Sequence, residues 1–64
     1  MYLVMYGYSG SNKFWVFDDM NSAVYHCMSL AESVGYHFEY AEISTALLHG
    51  NTWNHFPFTV KKCY

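Results

Sequence analysis

The chain has no arginine, and its only cations are Lys13, Lys61 and Lys62. Neutralising a phosphate backbone takes a cluster of basic side chains on one face, so this scarcity argues against nucleic acid as a partner. Charge of either sign is sparse, at 12% of 64 residues with a net of −2. Asp18, Asp19, Glu32, Glu39 and Glu42 make at most a modest acidic patch, too thin to imitate the surface of DNA. Two cysteines, Cys27 and Cys63, are too few for a disulfide-dense secreted scaffold, and both are expected as free thiols. No apolar run approaches the ~20 residues of a membrane-spanning helix. No basic residue precedes "MYLVMYGY" and no small-residue cleavage site follows it, so the expectation is a cytoplasmic protein without a secretory leader. A chain of this length has no room for a second core, which makes residues 1–64 one domain.

What is abundant is aromatic. Seven Tyr, five Phe and two Trp are 22% of the residues, and hydrophobic types are 53%. That composition is remote from the charge-rich, aromatic-poor chains that stay disordered. A core this small fills with about a dozen side chains, so several aromatics are expected at the surface. Contiguous exposed apolar area on a small protein marks an interaction site or an oligomer interface.

Along the chain, Tyr2 to Tyr8 alternates Tyr2/Val4/Tyr6/Tyr8 against Leu3/Met5/Gly7, two largely apolar sets that predict a central strand. "SGSNK" at 9–13 reads as a turn, and "KFWVFDD" as the second strand of an antiparallel hairpin. Asp18 or Asp19 then caps a helix. Its apolar stripe is Met20, Ala23, Val24, Cys27, Met28, Ala31 and Val34, with Tyr25, His26 and Glu32 on the polar side and Gly35 closing the end. "YHFEYAEIS" at 36–44 reads as a third strand whose alternation slips after Tyr40. "STALLHGN" is one helical turn capped by Ser44 or Thr45 and stopped by Gly50, or a continuation of that strand. "FPFTVKKCY" reads as a last strand that Pro57 confines to a sheet edge or a strand start. The expected fold is α+β in two layers, β-β-α-β-β, with one helix on a three- to four-stranded, mainly antiparallel sheet. The third strand is expected beside the first and the final strand at the edge, and one face of the sheet stays uncovered.

Little in this pattern carries catalysis. A structural zinc site needs four converging ligands, whereas His26, His37, His49 and His55 show no paired spacing with the cysteines. "GYSGS" departs from the Gly-x-Ser-x-Gly elbow at Ser11 and joins two strands instead of a strand and a helix. No enzymatic activity, cofactor or metal is expected. An aromatic sheet face could stack single-stranded bases, but the first and third strands lack the basic surround that such platforms carry.

The ββα start with its helix, "FDDMNSAVYHCMSLAESVGY", resembles the small single-domain proteins that bacteriophages encode to bind and block host enzymes or defence systems. The resemblance is one of size, layout and aromatic-rich, charge-poor composition over residues 2 to 44. It implies a stoichiometric inhibitor or modulator acting in the host cytoplasm by occupying a surface, and assigns no residue a role by position. From the aromatic surplus itself, the partner-binding candidates are Tyr2, Tyr6, Tyr8, Trp15, Tyr25, Tyr40 and Trp53. A homodimer through the open face or an edge strand and a single-stranded nucleic-acid binder are the alternative readings.

Overall fold

The computed structural model describes residues 1–8 and 11–63, with the side chains of Tyr8 and Ser11 outside that description. Chain order is β1 (Tyr2–Tyr8), β2 (Ser11–Phe17), α1 (Met20–Ser33), α2 (Tyr40–Gly50), β3 (Thr52–His55) and β4 (Phe58–Lys62). The four strands form one antiparallel sheet in the order β2-β1-β4-β3. Both helices lie on one side of it, α1 over β1, β2 and β4 and α2 over β3 and β4. The fold is therefore a two-layer α+β arrangement of a helical layer on an open antiparallel sheet.

Strand β1 is central, as its two apolar sets predict, and it forms the expected hairpin with β2. Strand β2 begins at Ser11, so Ser11 to Lys13 pair with β1 instead of lying in a turn. Helix α1 starts where Asp19 accepts hydrogen bonds from the Ser22 backbone N–H and hydroxyl, both at 2.9 Å. It closes on Gly35, whose φ of 91° suits a residue without Cβ. There the N–H groups of Gly35 and Tyr36 donate back to the carbonyls of Glu32 and Ala31, the paired bonds of a Schellman ending.

Three expectations are corrected. Residues 36–39 belong to no strand, and Tyr40 opens a second helix where a third strand was expected. The reason is periodicity: Tyr40, Ile43, Ser44 and Leu47 fall at i, i+3, i+4 and i+7, and the last three are buried. That helix ends on Asn51, in the left-handed region at φ 60°, one residue beyond Gly50, and neither Ser44 nor Thr45 caps it. The last strand is internal, between β1 and β3, and a four-residue strand that periodicity did not reveal takes the edge. Pro57 precedes the first residue of β4, so its missing N–H costs the ladder nothing.

The core lies between the layers. Val4, Phe58 and Val60 from the sheet meet Ala23, Val24, Cys27 and Ala31 from α1 and Ile43 and Leu47 from α2, with Phe38 and Trp53 closing one end. Each fully buried large side chain of this set contributes roughly 1.5–3 kcal/mol. Val34 belongs to the predicted stripe but is exposed at the C-cap, whereas His26, expected on the polar face, is half buried.

Candidate functional site: the uncovered sheet face

Register decides which side chains the helices cover. Val4 lies between Trp15 and Val60, and Val60 beside Trp53, so these four form one row under the helices. Tyr6 is flanked by Lys13 and Phe58, and Tyr2 by Phe17 and Lys62, on that same face. The alternate residues face outward from the fold in two full rows, Phe14-Met5-Thr59-Asn54 and Val16-Leu3-Lys61-Thr52. No described part of the chain covers them.

The uncovered face is apolar on its β1–β2 half and polar on its β3–β4 half. Phe14 is 61% and Val16 58% exposed, and Phe56, in the turn between β3 and β4, is 71% exposed. Between Phe14, Met5, Asn54 and Phe56 runs a shallow groove of about 380 Å³, floored by Gly7 and Thr59. Thr59 Oγ1 donates to Asn54 Oδ1 at 3.3 Å, which fixes the polar wall. Lys61 is the only charged residue at a register position on this face. All five carboxylates belong to the helices and their connections, and all three lysines to strands.

The aromatics singled out from sequence sit elsewhere. Tyr2, Tyr6 and Trp15 are partly buried under the helical layer, Tyr6 with its ring 5.1 Å from Phe58 and Trp15 with its ring 4.6 Å from His26. Trp53 is a core residue, 6% exposed and edge-on to Phe38, which corrects its expected place at the surface. The Tyr8 side chain lies outside the described residues. Tyr25 and Tyr40 do come together, rings 5.2 Å apart on the outside of the helical layer, where the Tyr40 hydroxyl donates to Asn21 Oδ1. None of the six described candidates holds a register position on the uncovered face, and of them Tyr6 alone lines its groove. What does reach it is Leu3, Met5, Phe14, Val16 and Phe56. The alternation already separated Phe14/Val16 from Trp15/Phe17, and the missing signal was which set the helices take.

Two polar features flank the fold's interior. The His37 ring is held between Glu32 Oε2 at 2.6 Å and Glu39 Oε2 at 2.7 Å, tying the end of α1 to the segment that leads into α2. Hydrogen bonds to Glu32 and Glu39, with the attraction of their charges, raise the His37 pKa above its ordinary value. His26 rests against Trp15 and Phe17 with its Nε2 buried and without a hydrogen-bond partner. Among the described residues no group of three His, Cys, Asp or Glu converges as metal ligands would, and no helix is long and apolar enough to cross a membrane.

Comparison with protein-family models, with curated proteins and with solved structures finds no match.

Proposed function

We propose that this chain is a small protein-binding module that works by occupying its partner's surface with the uncovered sheet face. The carrying observation is the exposure of Phe14, Val16 and Phe56 on one side of a sheet whose strands carry no carboxylate. Rigid aromatic and aliphatic side chains on a flat, weakly charged face are what protein interfaces place at their centres. A single lysine on that face supplies too little positive charge for a phosphate backbone, which favours protein over nucleic acid. With its phage-like size and layout, the module reads as a stoichiometric inhibitor or modulator of a host enzyme or defence complex, acting in the host cytoplasm and without chemistry of its own.

The test is capture from host lysate on immobilised wild-type protein, Met5→Lys and Tyr25→Ala, each first checked for a native circular dichroism spectrum. The expected result is one partner retained by wild type and Tyr25→Ala and lost by Met5→Lys, which places a charge at the centre of the face. Retention by Met5→Lys with loss by Tyr25→Ala would move the contact to the helical layer and overturn the reading.

A further inference from the structure

The sheet has two edges, and they are built differently. Strand β3 is four residues long, bounded by left-handed Asn51 and by Pro57 two residues past its end. Shortness and a nearby proline are the usual means of keeping an edge from pairing with another chain. Strand β2 is seven residues long with no proline, no glycine and one charge, Lys13.

The outward backbone groups of β2 follow from the ladder. The Gly7 N–H donates to the Pro57 carbonyl at 3.1 Å, and the Met1 carbonyl accepts from the Cys63 N–H at 2.9 Å. Odd-numbered residues of β1 therefore turn their polar backbone groups toward β4, and even-numbered ones toward β2. The even residues of β1 oppose Ser11, Lys13, Trp15 and Phe17. The N–H and C=O groups of Asn12, Phe14 and Val16 then point away from the sheet, and these are the residues whose side chains occupy the uncovered face.

From this we infer that β2 pairs antiparallel with β2 of a second copy of the chain, about a two-fold axis through Phe14, to give one continuous eight-stranded sheet. In that register Phe14 opposes its own copy and Asn12 opposes the second copy's Val16. Every outward N–H on each strand meets a carbonyl on the other. On the helix-covered side Lys13 lies beside the second copy's Trp15, an ammonium next to an indole ring. The neighbouring registers are worse. An axis through Lys13 opposes two like charges, and one through Trp15 sets Asn12 against Asp18, beyond the end of β2. Pairing one seven-residue edge buries less than the roughly 1,200 Å² of a standard interface, so the dimer forms at micromolar concentrations and above and exchanges readily. It leaves the uncovered faces free and joins them into a single surface.

Sedimentation across the micromolar to millimolar range tests this, with Phe14→Pro and Met5→Lys as variants. Proline at 14 removes an outward N–H while leaving the β1 ladder intact. Wild type and Met5→Lys are expected to dimerise alike, and Phe14→Pro to lose roughly tenfold or more in association constant. Hydrogen exchange on the wild type gives an independent reading. The amides of Asn12, Phe14 and Val16 become protected as concentration rises, while those of Lys13 and Trp15 are protected throughout. A wild type monomeric over the whole range, or a Phe14→Pro that dimerises as well as wild type, overturns the inference. Loss of the dimer in Met5→Lys would assign association to face-to-face stacking and overturn it equally. Because Met5→Lys removes partner capture and keeps this dimer, the two proposals fail separately.

Discussion

Cys27 and Cys63 show how far one residue type divides by place. Cys27 sits on the buried stripe of α1, where burial pushes its thiol up to about 12, and Cys63 follows β4 in the open. The thiolate is the reactive form, so the native protein should take one alkyl group, at Cys63, and a second only when unfolded. Mass spectrometry after iodoacetamide with and without denaturant reads this directly, and rapid double labelling of the native chain would contradict the burial of α1. The stripe of α1 announced Cys27 as a core residue because its neighbours at three and four positions are Ala23, Val24 and Ala31. Trp53 gave no such notice. Its flanks, Thr52 and Asn54, are polar, and only the pairing with Val60 puts it inside.

At the scale of elements, the legible parts were those whose pattern repeats. Helix α1 repeats its apolar positions over four turns, and the first hairpin alternates over seven residues on each side, so both stand out. Helix α2 was hidden by Tyr36 and Phe38, two aromatics in the lead-in that read as strand and blur the helical spacing beginning at Tyr40. The same lead-in carries His37, and no pattern in its spacing marks the clasp it forms. Both ring nitrogens face carboxylates, so the protonated ring donates to Glu32 and Glu39 together. Its pKa is raised over the ordinary 6.5. The stabilisation is therefore complete below pH 6.5 and lost as pH rises through the folded-state value. The Asp19 cap has the opposite sign. Hydrogen bonds from the Ser22 N–H and hydroxyl lower its pKa below 3.8, so its contribution is present above that pH and lost as pH falls through the lowered value. Thermal melts of wild type and His37→Gln should differ at pH 5 to 6 and converge at alkaline pH, and a gap that persists there would rule the clasp out as its source.

For the molecule as a whole, the decisive quantity is how little stability 64 residues can hold, about 3–10 kcal/mol. Phe58 is fully buried in β4, and its ring meets Tyr6 from β1, Tyr36 from the connection between the helices, and Phe38. Phe58→Ala is expected to cost about 3–5 kcal/mol, a third of the total or all of it. Urea titration followed by circular dichroism should show the midpoint fall steeply or the transition vanish. A shift of a few tenths of a kcal/mol would mean that this end of the core closes over the loss. The two-layer α+β architecture was legible because hydrophobic period changes from two to 3.6 after Asp19. The strand order was not, because it depends on which long-range partner wins the second side of β1.

That choice has a consequence for how the chain is made. Residues 2–6 find their second neighbour in residues 58–62, so the middle of the sheet joins segments from opposite ends of the described sequence. During synthesis the first hairpin can form early, but β1 keeps one flank bare until β4 has emerged from the ribosome. Contacts so distant along the chain also slow closure of the fold. For that interval the nascent protein carries an apolar hairpin with both edges open, and its safety from aggregation depends on how quickly α1, α2, β3 and β4 follow β2 out of the ribosome.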